Sequence, residues 1–590
     1  MSWRFGIVFL IFFLFTDCGL THALDRQALL KMADEYHQTF RDEKARAFEM
    51  ANMLKLPVQG RLDDGRYYEI MRFEDNFPEY YITNNREGAS LIKSSQIWPE
   101  GKADPSLTGS GQALGIWDSG AVRLTHEEFE GRAIQEDQPS FLSIHATHVG
   151  GTMVAAGIKP DAQGMSYQGA LHAYDWDDDG SEMTLAATNG LLVSNHSYSS
   201  LVGWAYGDWS GTEEWHWWGD VSISSNEAYR FGFYDRTARD WDEISFNAPH
   251  YLIVKSAGND RNDDYSGAHY YFNWKTKNWE LSRKDREPDG GTNGYDSIPT
   301  YGNAKNILTV GAVDASKQMA SFSGWGPSDD GRVKPDIVAK GINVFSASGD
   351  TNKSYALGSG TSMASPMISG SVGLLAEYQE KLYARNDPFW SSTMKALIIH
   401  AADDSINGAP GPDYRFGWGL MNTKKSAEIM THDSQAGGQF HIRELTLDNG
   451  HDISIPVTSP GSKSLRATLA WTDPPGKPPK ATLNPADKML VNDLNLRIID
   501  PQGKEIKPYV LDPAKPSQPA ATGNNSIDNV EMVHIPNPEF GQKYIVKISH
   551  TGDLKEGYQN FSLIMTGIQA TESLETAPGV FMLLLGDENE

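Results

Sequence analysis

The chain has 590 residues, with 51 Lys+Arg against 77 Asp+Glu and a formal net charge of −26. Acidity of this size argues against nucleic acid or an anionic membrane as partner. Hydrophobic content of 39% with 16 tryptophans excludes wholesale disorder, and the length allows several domains at roughly 150 residues each.

Arg4 precedes an apolar run from Phe5 to Phe15, and Thr21-His22-Ala23 ends in a small residue suited to signal peptidase. Residues 1–23 therefore read as a signal peptide; the run is too short to span a bilayer. The single cysteine, Cys18, lies inside it. Cleavage at Ala23 leaves a secreted chain without disulfides or thiol chemistry. A lipid anchor at Cys18 is disfavoured by the preceding Thr16-Asp17.

Asp25 to Leu54 has the apolar spacing of a helix, and Gly60 to Tyr81 alternates aromatic and polar residues as short strands do. From Leu107 to about Ile429, buried-strand runs alternate with helical stretches, the pattern of an α/β domain with a parallel sheet. Ala113–Trp117, Tyr251–Lys255, Ile307–Val313 and Ile337–Val344 are expected strands. His145–Ala156, Thr361–Gln379 and Ser391–Ala402 are expected helices. Two insertions, Leu201–Trp241 and Tyr265–Tyr301, are dense in aromatics. They form either a substrate-gripping wall or packing beneath long loops. Beyond Gly437, short strand-like runs separated by Pro-, Gly- and Asn-rich links indicate a β-sandwich. The resulting divisions are 1–23, 24–92, 93–432, 433–570 and a C-terminal tail, 571–590.

Four short blocks carry chemistry. Gly360-Thr361-Ser362-Met363-Ala364-Ser365-Pro366 puts a serine at the mouth of an expected helix, where the macrodipole and free N–H groups favour an oxyanion. Asp118 ends a strand in Ile116-Trp117-Asp118-Ser119-Gly120, and His145 opens His145-Ala146-Thr147-His148. Asn259 follows the β-branched run ending in Ser256-Ala257-Gly258. A serine hydroxyl needs a base to become a nucleophile at neutral pH. An unperturbed imidazole, titrating near about 6.5, can supply one. Separately, each residue has a plainer use. Asp118 suits a turn, His145 and His148 are spaced for a metal on one helix face, and Asn259 suits a left-handed turn. No third metal ligand is spaced near the two histidines, and no HExxH occurs.

Taken together, in the chain order Asp, His, Ser, the blocks resemble those of the subtilisin-like serine proteases, the subtilases. That resemblance implies a subtilisin-like parallel-sheet catalytic domain over 93–432, followed by an all-β sandwich of jelly-roll type over 433–570. It implies a catalytic triad of Asp118, His145 and Ser362, with Asn259 and the Ser362 N–H as oxyanion donors. Ser197, Tyr198 and Ser199 match one wall of the primary specificity pocket, and Ser256, Ala257 and Gly258 the other. Gly180, Ser181 and Glu182 match the edge strand that pairs with extended substrate. His148 reads as a buried structural neighbour.

The resemblance extends to residues 24–92, which are similar to the N-terminal region of larger secreted subtilases. This region is either a propeptide, cut somewhere between Thr83 and Pro99, or a permanent accessory subdomain. Asp175 to Asp179 packs four acids into an Asp-x-Asp-x-Asp-Gly spacing that suggests calcium, although Ala186 stands where an EF-hand requires glutamate. Otherwise these acids form a rim selecting basic substrate residues. Acids around Leu490–Leu496 and Asp528–Glu531 are either calcium ligands or turn caps, so no metal site is assigned. The expected activity is secreted endopeptidase hydrolysis of proteins, without a catalytic cofactor and with structural Ca2+ as an option. The expected partners are protein substrates and the chain's own propeptide, in a monomer with no membrane span. The alternatives are a processing protease of narrow specificity and a catalytically dead binding protein. The sandwich either stabilises the catalytic domain or binds carbohydrate or a surface.

Overall fold

A computed structural model describes residues 26–61, 67–74, 77–83, 90–99, 105–383 and 387–569. The expected signal peptide with Cys18, and the tail 571–590, lie outside the described residues.

Helix α1 (Arg26–Leu54) buries Leu29 with Ala33 and Ala47 with Ala51, two pairs four residues apart that share one face. Strands β1 (Gln59–Arg61), β2 (Tyr67–Glu74) and β3 (Phe77–Thr83) follow as an antiparallel meander.

The central domain contributes β4 (Ala113–Asp118), β5 (Ala133–Gln135), α2 (Ile144–Val154), β6 (Ala170–Asp175), α3 (Asp179–Thr188), β7 (Val193–His196) and β8 (Tyr198–Ser200). Next come β9 (Trp204–Gly207), β10 (Glu214–Trp217), α4 (Arg236–Asn247), β11 (Leu252–Ser256), β12 (His269–Asn273), β13 (Asn278–Ser282), β14 (Leu308–Val313) and β15 (Ile337–Lys340). The domain closes with β16 (Val344–Ala347), β17 (Tyr355–Gly358), α5 (Thr361–Leu382), α6 (Ser391–Ala401) and α7 (Thr423–Gln435).

Seven strands form one sheet in the order β15-β14-β11-β7-β4-β6-β5, and every pairing is parallel. This is the expected α/β architecture. Its inner strands β4, β11 and β14 are buried on both faces and read as near-continuous apolar runs, whereas β6 near the edge alternates. Helix α5 is buried along Thr361–Gln379, where small and apolar residues surround it on every side. Met363, Met367, Ile368 and Leu374 share a core with Leu114, Ile116, Val254 and Val310 of the sheet. The run expected as one strand over 337–344 is two strands. Asn343 takes a left-handed φ of 55°, which breaks the extended path and sends β16 to pair with β17 instead.

The aromatic insertions form their own sheet, β13-β12-β10-β9. Trp209, Trp218 and Phe272 pack with Ala47, Ala51, Leu56, Ile70 and Tyr80 of the N-terminal region, and Tyr80 meets Trp218 edge-on at 5.1 Å. In the uncleaved chain these aromatics pack against the N-terminal region.

The C-terminal strands are β18 (Ile442–Asp448), β19 (Ile453–Thr458), β20 (Leu465–Ala470), β21 (Asp493–Ile499), β22 (Glu505–Ile506), β23 (Tyr509–Val510), β24 (Ala521–Thr522), β25 (Val530–Ile535), β26 (Lys543–Thr551) and β27 (Tyr558–Thr566). Two antiparallel four-stranded sheets, β18-β27-β20-β25 and β19-β26-β21-β22, enclose a core including Leu469, Leu496, Val546 and Leu563. The outer face of the first sheet carries Ala470, Met532 and Ile564 into the central domain's core. His400 of α6 reaches it too, meeting Thr468 and Thr566 at 2.9 and 2.8 Å.

Candidate active site

The sheet register brings the four sequence blocks to one edge. Trp117 of β4 lies opposite His196 of β7, and His196 opposite Lys255 of β11. Asp118, Ser197 and Ser256 are therefore neighbours at the carboxyl ends of three adjacent strands, where open parallel sheets leave a crevice.

Asp118 is fully buried, and its Oδ1 meets His145 Nδ1 at 2.5 Å. Ser119 N–H donates to the same oxygen at 2.8 Å. His145 sits in the first turn of α2, whose N-cap is Ser143; the Ser143 hydroxyl accepts from Ala146 N at 3.0 Å. His148, one turn along, meets the Val344 carbonyl at 3.1 Å and is buried, as a structural neighbour should be.

Ser362 is the second residue of α5. Its hydroxyl donates to the Ser197 carbonyl at 2.8 Å, and the Ser197 hydroxyl donates to the Ser362 carbonyl at 2.9 Å. Asn195 stands behind this exchange. Its Nδ2 donates to Ser197 Oγ at 2.8 Å, and its Oδ1 accepts from Ser365 at 2.7 Å. Asn259 turns its amide oxygen to the helix start, accepting from Thr361 N at 2.9 Å and Thr361 Oγ1 at 2.8 Å. That fixes the amide and satisfies an orphan donor of the helix. Gly258 before it has φ +91°, and a methyl there would lie 2.7 Å from Pro299 Cδ, so both backbone and space call for glycine.

Ser197–Ser199 and Ser256–Gly258 are both buried. The Ser197 carbonyl reaches Ser362, and the Gly258 carbonyl accepts from Thr361 Oγ1 at 3.3 Å, so the two segments meet at the helix start. Behind them lies an ammonium that sequence reasoning missed. Lys255 is 1% exposed and donates to the Tyr198 carbonyl, to Ser256 O at 2.9 Å and to Ser256 Oγ at 3.0 Å. Burial pushes its pKa down to about 7, against the opposing pull of Asp260 and Asp118. A lysine interrupting a β-branched run was the available signal.

One expectation is corrected. Gly180, Ser181 and Glu182 are not an edge strand: they lie in the first turn of α3 and cannot pair with a substrate backbone. Gly180 abuts the Tyr36 ring, and Glu182 accepts from Trp117 Nε1 at 3.0 Å. Burial, with Asp137 and Asp175 nearby, pushes the Glu182 carboxyl up to about 10. Strand β8 lies at the end of the sheet β1-β2-β3-β8, and β3 pairs with it antiparallel, Thr83 opposite Tyr198 and Ile82 opposite Ser199.

The acidic loop faces the N-terminal helix in the uncleaved chain. Asp177 binds Lys44 Nζ at 2.8 Å, Asp178 binds His37, and Asp179 accepts from Tyr198 Oη at 2.8 Å. Lys44 and His37 belong to α1, so these acids dock the N-terminal helix. Burial raises Asp178 and Asp179 to about 6. Among the described residues, no three His, Cys, Asp or Glu side chains converge to hold a metal. In the sandwich, Asp528 accepts from Val333 N at 2.8 Å and Glu531 from Leu496 N at 2.6 Å, so these acids hold backbone.

The model of the subtilase family (Peptidase S8) matches residues 109–419, more than half of the chain. The chain belongs to the subtilase family. This subtilase is similar to the "serine protease/ABC transporter B family protein tagD" of Dictyostelium discoideum, with 24% identity over 83% of this chain and 33% of that protein. It is also similar to the C5a peptidase of Streptococcus pyogenes serotype M3, with 33% identity over 31% of this chain and 16% of that protein. It thus spans a third or less of the length of these relatives. Among solved structures, the self-cleaved protease domain of PatA covers 56% of this chain and 99% of its own, at 19% identity and a TM-score of 0.38.

Proposed function

We propose that this subtilase is a secreted serine endopeptidase that hydrolyses proteins through an acyl-enzyme on Ser362. One observation carries the proposal: Asp118 on His145, Ser362 on Ser197 and Asn259 on Thr361 lie at adjoining strand ends around one helix start. In the reaction the Ser362 hydroxyl leaves the Ser197 carbonyl and attacks the substrate carbonyl as His145 takes its proton. Asp118 fixes the imidazole through Nδ1 and stabilises the imidazolium. The oxyanion is met by the Ser362 N–H and the Asn259 amide, whose oxygen is already committed to Thr361. His145 then returns the proton to the leaving amine, and water hydrolyses the ester by the same route.

Residues 24–92 act as propeptide. The support is β3, which occupies the edge of β8 as an extended substrate would. It ends at Thr83 opposite Tyr198, one residue from the carbonyl that holds Ser362. The first cut therefore falls shortly beyond Thr83, in a stretch whose residues 84–89 lie outside the described ones. The shared aromatic cluster with Trp209 and Trp218 predicts slow release after cleavage.

The test is casein digestion by the secreted wild type beside Ser362→Ala, with both sized by mass spectrometry. Wild type should digest casein and begin between Asn84 and Leu91, while Ser362→Ala does neither. Casein digestion by Ser362→Ala at the wild-type rate would sink the proposal.

A further inference from the structure

Glu79 of β3 is a fully buried carboxylate, and most of what holds it belongs to the peptidase domain. The Tyr301 hydroxyl donates to its Oε1, the Ser200 hydroxyl does so at 3.3 Å, and Arg230 Nη2 lies 3.5 Å from Oε2. From the N-terminal region itself comes Arg72, 2.9 Å away on β2. The receptor is built independently of its occupant. Arg230 is 3% exposed and is steadied by Asp235 at 3.4 Å. Asp235 is in turn fixed as the N-cap of α4, accepting from Ala238 N at 2.9 Å. Ser200 ends β8 and also meets Thr300 Oγ1 at 3.1 Å, beside Tyr301.

The path of β3 connects this recess to the cleft. Tyr81 lies opposite Ser200, and Leu201 N–H donates to the Tyr80 carbonyl at 2.7 Å, so the chain stays extended along the domain until Glu79 turns inward. A substrate lying on β8 follows the same backbone track. Its residue four positions before the one facing Tyr198 then reaches the same recess. We infer that Arg230, Tyr301 and Ser200 form a substrate subsite for an acidic side chain, which Glu79 fills in the uncleaved protein. The inference rests on the endopeptidase proposal and on displacement of β3 after cleavage. Covered by a substrate as they are by β3, a guanidinium and hydroxyls reward a carboxylate and are left underpaired by an apolar side chain. Because Arg230 is shared with Asp235, the expected preference is moderate, on the order of tenfold.

The test uses the matured enzyme and two fluorogenic peptides copying residues 77–91, identical except that one carries the substitution Glu79→Gln. Wild type should cleave the Glu peptide about tenfold better in kcat/KM, mostly through KM. The preference should fall to twofold or less in Arg230→Gln. Tyr301→Phe, a milder change, should lower it in the same direction if Arg230→Gln fails to fold. Equal cleavage of the two peptides by wild type overturns the inference, as does casein digestion with neither peptide cut nor competing. An enzyme that digests casein while keeping residues 24–92 intact and in place overturns the propeptide assignment, and this subsite with it. Failure to digest casein at all overturns the endopeptidase proposal instead.

Discussion

Pro366 stands four residues after Ser362 and has no N–H to give the Ser362 carbonyl, which the Ser197 hydroxyl takes over at 2.9 Å. Inside a helix a proline deletes the bond to the carbonyl four residues back. Here the deletion frees that carbonyl for a bond to the residue between β7 and β8, so the helix carrying the serine is tied to the start of β8. Ser197→Ala should leave a buried acceptor unmet and cost about 1–3 kcal/mol. Urea denaturation checks the stability, and casein assays should show a lower kcat with little change in fold by circular dichroism.

Asn259 accepts from Thr361 and is proposed to donate to the oxyanion, and one substitution separates the two. Asn259→Asp keeps an oxygen for Thr361 and removes the amide N–H groups. The kcat should drop about 100- to 1000-fold with KM nearly unchanged, as expected when one oxyanion donor is lost. Asn259→Ala should lose the same rate and also about 1 kcal/mol of stability, because the start of α5 loses its acceptor. Steady-state kinetics and thermal melts of the two variants check this.

Lys255 sets a pH dependence of stability. Its folded pKa, about 7, lies below its ordinary value of 10.5, so between those two the unfolded chain binds more protons. Its contribution to stability therefore rises as pH climbs from about 7 toward 10.5. The difference in melting temperature between Lys255→Met and wild type should become less favourable to the variant from pH 7 to pH 10. Parallel pH profiles for the two proteins would contradict this.

The sandwich should be inseparable from the peptidase domain. Lys305 lies 3.2 Å from both Asp242 and Asp473, all three side chains fully buried, and Asp473 comes from the sandwich. Asn306 reinforces the junction, bonding the Asp473 carbonyl at 2.8 Å and accepting from Asn529 at 3.0 Å. Lys305→Met leaves two buried acids without their cation and should cost about 3–5 kcal/mol. A chain ending near Gly437 should fail to fold, as measured by soluble yield and melting.

The four blocks around Asp118, His145, Asn259 and Ser362 were legible as motifs because each is short and contiguous and ends a strand or opens a helix. Gly180–Glu182 was misread because it followed β6 directly. The acidic first turn with Asp179 and Glu182 was the helix-start signal that should have prevailed. Strand β8, which pairs with β3, is three residues long, too short to show a periodicity. The acidic loop could not be read locally, since its partners Lys44 and His37 lie more than a hundred residues upstream. Glu79 and Arg230 are illegible for the same reason: only the fold makes them neighbours.

The central claim is tested most directly by labelling the matured wild type with a fluorophosphonate and mapping the adduct by peptide mass spectrometry. The account predicts one adduct, on Ser362, absent from Ser362→Ala and strongly slowed in His145→Ala. A matured, casein-digesting protein labelled on another serine, or equally fast without His145, would contradict it.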